Sequence, residues 1–302
     1  MEEGCYRRRT RHQQKHPPPQ DRRLRAGGKG TEVEIMSPSE IAKEKTGLTV
    51  LGPNDIFHFT CSPEMPCFTH CCRDITIFLT PYDILRMRRA LGLSSSDFLA
   101  RYTVTMIGDT GLPVVVLKMS DDDEKRCPFV TDAGCRIYAD RPWACRIYPL
   151  QPESSKITEK AGKAYYSVLD IPFCQGLKSD SPWILRDWIE SQGIDAYEQM
   201  ETLLKRITNH EKITSDKITN QKIQDMYYMA CYDLDRFRRF VLESSFLQRF
   251  EVSPEEVAAI SNDDEALYRF ALRWLEYGLL AQQVLKVNPE VMAAKKKELG
   301  IR

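Results

Sequence analysis

The chain has 302 residues, enough for one large domain or two modest ones with a hydrophobic core. Lys plus Arg and Asp plus Glu are equal at 43 each, so no charge excess points to nucleic acid or to a membrane surface. No apolar run reaches the about 18 residues that indicate a membrane-spanning helix, and the N-terminal residues lack the apolar stretch of a secretory signal. These features predict a cytoplasmic protein.

Residues 1–35 form a basic stretch rich in Arg, Gln, Pro and Gly. Its first 30 residues contain nine Lys or Arg against three Asp or Glu. Because it has few apolar side chains to offset the entropy lost on ordering, we predict a disordered tail. A basic tail can also contact nucleic acid, but here we favour a solvated tail, in which Cys5 is inert.

Residues 55–178 predict a small irregular domain with short strands, because apolar alternation is brief and turn residues are frequent. The predicted elements, in chain order, are a strand in Asp74–Thr80, a helix from Pro81 to near Gly92 with Thr80 as its N-cap, a second helix from Ser94–Ser96, a turn at Gly108–Gly111, and strands in Leu112–Met119 and Ala164–Ile171.

Residues 180–302 have the apolar spacing of three and four residues that is typical of amphipathic helices. One helix is predicted through Ile223–Val241 and another through Leu267–Gly278, with earlier helices at Pro182–Ser191 and Ile194–Thr208. The predicted fold class is therefore α+β. A small, irregular, cysteine-rich metal-binding domain with short strands is followed by an α-helical C-terminal subdomain.

Eight of the ten cysteines lie in the irregular domain. In a reducing compartment, such cysteines are more typical of metal ligands than of disulfides. They occur in the strings FTCSPEMPCFTHCCR, CPFVTDAGCRIYADRPWACRIYP and PFCQG. Soft metals prefer thiolate ligands, and turn-rich loops allow several sulfurs to converge. We therefore predict metal ligands at Cys61, Cys67, Cys71, Cys72, Cys127, Cys135, Cys145 and Cys174.

The spacing leaves the metal and the number of sites open. It matches neither the C-x2-C-x2-C run of bacterial ferredoxins nor the paired CxxC of zinc ribbons, so the predicted cofactor is an iron–sulfur cluster or zinc. Eight cysteines suit two four-ligand sites, or one site with spare thiols. Cys71 and Cys72 are adjacent and point in different directions, so one can ligate while the other packs or serves a second site.

Four arginines lie within a few residues of a cysteine, where their charge would offset that of thiolates: Arg73, Arg136, Arg141 and Arg146. Arg141 and Arg146 allow two interpretations. They could bind an anionic substrate group, or they could brace the cysteine loops through hydrogen bonds, which is the interpretation we favour.

Other titratable residues are given structural roles. His70 is predicted to lie outside the ligand set although it precedes Cys71, and Cys231 is predicted to be buried on the apolar face of its helix. The acidic pairs Glu255-Glu256 and Asp263-Asp264 are predicted at helix N-termini, where they favour capping over acid–base catalysis.

The knot that ends in Cys71-Cys72-Arg73, the Thr-Pro-x-Asp-Ile helix after it, and the string CPF…GCxIYxxRPxxCRxYP resemble the YkgJ-type cysteine-cluster family. The resemblance covers residues 55–178 and is most specific from Cys127 to Pro149. It implies a zinc- or iron-chelating CxxCxxCC domain. The cysteines that match the family pattern are Cys67, Cys71, Cys72, Cys127, Cys135 and Cys145.

The resemblance leaves three functions to be distinguished. Some members of the family are called iron–sulfur oxidoreductases, which implies a redox role. A structural zinc protein, whose helical half binds a protein partner, is the second hypothesis. The family also includes relatives of flagellin lysine N-methylases, which implies an S-adenosylmethionine-dependent modifying enzyme. Whether the protein is an enzyme, and its substrate or partner, stay open.

Overall fold

Short antiparallel strands form four small sheets in the first part of the computed structural model, which describes residues 50–153, 165–289 and 291. Residues 1–35, with Cys5, lie outside the described residues. The sheets have the strand orders β1-β9-β8, β10-β2, β3-β5-β4 and β6-β7. The strands are β1 (Val50–Leu51), β2 (Ile56–His58), β3 (Phe78–Leu79), β4 (Thr103–Ile107), β5 (Pro113–Leu117), β6 (Val130–Thr131), β7 (Gly134–Cys135), β8 (Leu150–Pro152), β9 (Tyr166–Val168) and β10 (Pro182–Ile184).

Helices dominate the second part of the described chain, which confirms the α+β class. Three 3₁₀ helices, His70–Cys72, Tyr138–Asp140 and Gln175–Lys178, lie among the strands. The α-helices are α1 (Pro81–Leu91), α2 (Ser95–Tyr102), α3 (Trp143–Ile147), α4 (Leu185–Ser191), α5 (Ile194–Thr208), α6 (Glu211–Thr214), α7 (Gln221–Cys231), α8 (Leu234–Glu243), α9 (Phe246–Arg249), α10 (Pro254–Asn262) and α11 (Asp264–Leu280).

Helix α1 begins and ends where its local sequence signals predict. The Thr80 hydroxyl accepts from the Asp83 amide at 3.1 Å, and the Asp83 carboxylate accepts from the Thr80 amide at 2.7 Å, which completes a capping box. Gly92 ends the helix with a left-handed φ of 63°, a conformation that glycine adopts without a Cβ clash. Helix α2 begins in the predicted serine run, where the Ser94 hydroxyl accepts from the Asp97 amide at 3.1 Å.

The sheet β3-β5-β4 contains one strand that the sequence analysis did not predict. Strand β4 pairs with β5 along its whole length, from Thr103 opposite Leu117 to Ile107 opposite Pro113. It lies at the edge of the sheet, and most of its residues are exposed, so burial gives it no alternating pattern. The predicted turn between strands is confirmed, because the Gly111 amide donates to the Gly108 carbonyl at 2.9 Å.

Several predicted elements have different bounds in the structure. The strand predicted in Asp74–Thr80 is shortened to β3. The helix predicted from Pro182 starts only at Leu185, because Pro182–Ile184 instead pairs with β2. The Trp183 indole also donates to the Phe59 carbonyl at 3.1 Å, and this contact keeps the segment extended.

The single helix predicted through Ile223–Val241 is two helices, α7 and α8, that meet at Asp233. The Asp233 carboxylate accepts from the Ser95 hydroxyl at 2.6 Å and from the Ser96 hydroxyl at 2.9 Å. It also caps α8 by accepting from the Arg236 amide. A carboxylate that serves three donors stabilises the break, although the apolar periodicity runs on through it.

The larger hydrophobic core is built from both parts of the described chain. It contains Leu79 and Val115 from the sheet β3-β5-β4, Phe129 from the cysteine loops, and Phe237 and Phe270 from the helices. A second, smaller core surrounds β2 and α4. The predicted division at about residue 180 stays a prediction, while the packing joins side chains from either side of it.

Replacing Asp233 by Ala should lower the free energy of unfolding by about 2 kcal/mol, because the α8 cap and the hydrogen bonds from two serine hydroxyls are lost. Urea unfolding monitored by circular dichroism measures the change. The exposed Asp225→Ala, in the neighbouring helix α7, is the control and should change stability by less than about 0.5 kcal/mol. Equal effects of the two substitutions would contradict the role of Asp233.

Candidate metal centre

The eight cysteines predicted as ligands all lie on loops or short elements rather than on long helices. Each is a free thiol in the described structure. Cys61 and Cys67 lie in the loop after β2, Cys71 and Cys72 in the 3₁₀ helix His70–Cys72, Cys127 before β6, Cys135 in β7, Cys145 in α3, and Cys174 directly before the 3₁₀ helix Gln175–Lys178.

Six of these cysteines line one cavity with a volume of about 420 Å³. Its walls are mainly apolar and include the buried side chains of Phe59, Phe129 and Trp188. Cys67 and Cys174 do not line it. The cysteines along the wall are Cys61, Cys71, Cys72, Cys127, Cys135 and Cys145.

Main-chain contacts join the loop of Cys61 and Cys67 to the segment that contains Cys174. The Thr60 amide donates to the Gly176 carbonyl at 3.2 Å, and the Gln175 amide donates to the Cys67 sulfur at 3.3 Å. A Cβ atom on Gly176 would lie 2.1 Å from the Thr60 carbonyl oxygen, so only glycine allows this approach. Cysteines more than 100 residues apart are thereby brought together.

A second set of contacts joins Cys72 to the loop of Cys127 and Cys135. The Cys127 amide donates to the Cys72 carbonyl at 2.8 Å, and the residues beside them, Arg73 and Arg126, form an antiparallel bridge. The β6–β7 hairpin then returns the chain, with Val130 opposite Cys135. The hairpin therefore holds Cys135 near Cys127.

Helix α3 places Cys145 next to this hairpin. The buried Asp83 carboxylate, already part of the α1 capping box, accepts from the Trp143 amide at 2.7 Å. Burial raises the pKa of Asp83 to about 6, although its backbone hydrogen bonds act in the opposite direction. Asp83 thus fixes the first turn of α3 against α1, 60 residues away in sequence.

Arg146 and Arg141 brace the loop between Cys135 and Cys145. The Arg146 guanidinium donates to the carbonyls of Arg141 at 3.0 Å and of Gln192 at 2.7 Å, and also to that of Ala139. Arg141 donates to the Tyr138 carbonyl at 2.6 Å. Both arginines are buried, and the described contacts are with the protein itself. The structure therefore supports bracing rather than an anion site.

The thiols of the first loop influence one another. Burial raises the pKa of Cys61 to about 11, and its neighbours Cys71, Cys67 and Cys174 contribute to the rise. A hydrogen bond from Cys72 lowers the pKa of Cys71 to about 7. The same hydrogen bond, together with burial, raises the pKa of the Cys72 thiol. Within the dipeptide Cys71-Cys72, Cys71 is therefore the thiol that ionises more readily.

The thiols of the second loop form another set of neighbours. Burial raises the pKa of Cys145, and Cys127 and Cys135 raise it further. Burial likewise raises the pKa values of Cys127 and Cys135, while Arg136 acts in the opposite direction on both. Without a cation these thiols stay protonated at neutral pH, and a bound metal would supply the charge that favours the thiolates.

Tyr148 lines the cavity, although the sequence analysis contained it only within the cysteine-containing string. Its hydroxyl is buried beside Cys174 and has no hydrogen-bond partner of good geometry among the described residues. Burial raises its pKa, and Cys174, Cys71 and Cys61 add to the effect. A phenol in this position is suited to donate a hydrogen bond to a sulfur ligand.

The donor chemistry fits zinc or an iron–sulfur cluster, because free thiols, which are soft-metal ligands, surround an apolar cavity. Within the described residues, no three Cys, His, Asp or Glu side chains already have the spacing of a metal site. The ligand roles of the eight cysteines therefore stay a prediction at this point.

The other residues considered in the sequence analysis have the following positions. His70 is exposed and packs near the Phe173 ring, with 6.3 Å between ring centroids. Cys231 is fully buried in the larger core. Arg73 forms an ion pair with Glu124 at 2.9 Å, so its charge is already partnered. The acidic pairs begin α10 and α11, as expected from capping.

Residues 60–166 match a family model described as "CxxCxxCC: Putative zinc- or iron-chelating domain". This match confirms the predicted resemblance to a cysteine-cluster domain family. The description also agrees with the predicted choice between zinc and iron. Neither the curated proteins nor the solved structures gave a match. Among the described helices, none is both long and apolar enough to cross a bilayer.

Replacing Gly176 by Ala should lower the free energy of unfolding by about 1–3 kcal/mol, because the new methyl group collides with the Thr60 carbonyl. Urea unfolding measures the change. Gly278→Ala is the matched control, since its Cβ meets only the Met226 side chain at 3.6 Å, and it should stabilise α11 by up to about 1 kcal/mol. An unchanged stability of Gly176→Ala would contradict the close approach.

Replacing Arg146 by Met should cost roughly 2–4 kcal/mol, because several buried carbonyls lose their donor while the apolar volume is largely kept. Arg101→Met, at an exposed position of α2, is the control and should be nearly neutral. Thermal unfolding compares the two. If both variants unfold at the wild-type temperature, Arg146 does not brace the loop.

Proposed function

We propose that this chain is a cysteine-cluster protein of the YkgJ type that holds an iron–sulfur centre through its cysteine thiolates and has a redox role. One observation carries the proposal: six cysteines line a single cavity of about 420 Å³ with mainly apolar walls. The match of residues 60–166 to a zinc- or iron-chelating domain supports a metal at this place.

The cavity favours an iron–sulfur centre over a single zinc ion. A structural zinc site is closed, because four ligands surround one small ion directly. Iron–sulfur clusters place several irons and inorganic sulfides between the thiolates and therefore need space among them. The wall contains large buried side chains such as Phe59 and Phe129, and an apolar surrounding is one of the features that set the potential of such a centre.

The residues of the site have distinct roles in this proposal. Cysteines from the predicted set of eight would supply the thiolates, and an iron–sulfur centre would supply one-electron chemistry when bound. Arg141, which is buried, and Arg136 lie close enough to Cys135 to favour its ionised form. The Tyr148 hydroxyl would donate to the sulfur of Cys174.

Anaerobic purification of the full chain also distinguishes the alternative functions. A structural zinc protein would be colourless and contain zinc in a fixed ratio to the chain. A methylase-like enzyme would bind S-adenosylmethionine, which calorimetry detects whatever the metal.

The test is anaerobic purification of the full chain, followed by analysis of iron, sulfide and zinc. We expect brown protein with sulfur-to-iron absorption in the visible range that bleaches with dithionite. Stoichiometric zinc without colour, or no metal at all, would overturn the proposal. The assay needs no substrate, so it addresses the centre directly.

Replacing Cys135 or Cys145 by Ala should lower the metal content, and should also lower the stability because metal binding contributes to folding free energy. Cys231→Ala is the matched control, since that thiol lies in the helical core and should keep the full metal content. Metal per chain and thermal unfolding are measured for all three variants. Full metal retention in both Cys135→Ala and Cys145→Ala would contradict their assignment as ligands.

A further inference from the structure

We propose that the eight cysteines form two four-cysteine metal sites that meet at the dipeptide Cys71-Cys72. The proposal rests on the metal-binding function above and adds how its ligands divide. Cys71 belongs to one site and Cys72 to the other. We name the first set group A, which contains Cys61, Cys67, Cys71 and Cys174, and the second set group B, which contains Cys72, Cys127, Cys135 and Cys145.

The local geometry of the dipeptide separates its two side chains. Cys71 and Cys72 lie in a 3₁₀ helix, where three residues make one turn and successive side chains point about 120° apart. The turn is held by the Cys72 amide, which donates to the Thr69 carbonyl at 3.0 Å, and by the His70 amide, which donates to the Cys67 carbonyl at 3.0 Å. Neighbouring residues therefore face different surroundings.

Group A is assembled by the contacts between the first loop and the segment after β9. The hydrogen bond of the Gln175 amide to the Cys67 sulfur places residue 174 beside Cys67. The Thr60–Gly176 contact places Cys61 beside the same segment. The thiol of Cys61 accordingly has Cys71, Cys67 and Cys174 as its electrostatic neighbours, and these are the members of group A.

Group B is assembled by different contacts. The Cys127 amide donates to the carbonyl of Cys72, so the backbone of Cys72 is joined directly to the second loop. The β6–β7 hairpin holds Cys135, and α3 adds Cys145. The thiol of Cys72 has Cys127 and Cys145 as neighbours, besides Cys71. The thiol of Cys145 has Cys127 and Cys135 as neighbours, together with Cys71 from the junction of the two groups.

Ligand number supports two sites. A tetrahedral ion or an iron–sulfur cluster takes four cysteines, and eight thiols exceed what one such centre can use. The two sites would face one cavity, because members of both groups line it. Since consecutive Cα atoms are about 3.8 Å apart, two centres joined through this dipeptide would be close neighbours.

The test is a Co²⁺ titration of the reduced, metal-stripped full chain, with thiolate-to-cobalt absorption as the readout. The wild type should saturate at about two equivalents, one for each four-thiolate site. Four double variants follow, each pairing Cys67→Ser or Cys135→Ser with Cys71→Ser or Cys72→Ser. Cys67→Ser/Cys71→Ser and Cys135→Ser/Cys72→Ser should each keep one equivalent, because both changes fall in one group.

The crossed pairs, Cys67→Ser/Cys72→Ser and Cys135→Ser/Cys71→Ser, should lose both equivalents. Every single change occurs once in a variant that keeps an equivalent and once in a variant that loses both, so general misfolding cannot produce this pattern. Wild-type saturation at one equivalent, or equal binding by all four variants, would overturn the division while leaving metal binding intact. A wild type that binds no Co²⁺, and contains no iron or zinc as isolated, would overturn both proposals.

Discussion

The position of the cysteines depends on a few main-chain hydrogen bonds between segments that are far apart in the chain. The strands of this region are mostly two or three residues long, so extended sheet pairing cannot hold the loops. Instead, the Cys127 amide bonds to the Cys72 carbonyl, and the Thr60 amide bonds to the Gly176 carbonyl. A metal bound between these segments would strengthen the same connections, because it joins the same loops.

The helical part of the chain supports the cysteine loops directly. The carbonyl of Gln192, between α4 and α5, accepts from Arg146, and the Arg146 guanidinium lies 4.6 Å from the centre of the Tyr197 ring. The Tyr197 hydroxyl in turn donates to the Arg141 carbonyl at 3.3 Å. A guanidinium with five donors can serve several carbonyls at once, which a lysine cannot do in the same planar geometry. The cysteine loops therefore rest on the first long helix of the second half.

Local signals could be predicted from the sequence, and contacts between distant segments could not. The Thr80 cap and the helix Ile194–Thr208 depend on neighbouring residues, so their bounds were predictable. The break at Asp233 depends on serines that are more than 130 residues away, and β10 depends on β2. The same limit applies to the site. The sequence indicated the cysteines as a set, but their proposed division into two groups rests on contacts such as that of Cys127 with Cys72.

The tetrapeptide Cys-Arg-Ile-Tyr occurs twice, as Cys135–Tyr138 and Cys145–Tyr148, and its copies lie in different surroundings. The first copy starts on the half-buried strand β7, and Tyr138 is 62% exposed. The second lies on α3, packed against the interior, and the Tyr148 hydroxyl is buried beside Cys174. The two identical tetrapeptides therefore have different roles, because tertiary packing places the Tyr148 hydroxyl beside a thiol and leaves Tyr138 exposed. The second copy would contribute a cysteine to group B, while its tyrosine, which directly follows α3, lies beside Cys174 of group A. The segment of α3 and Tyr148 would therefore touch both proposed sites.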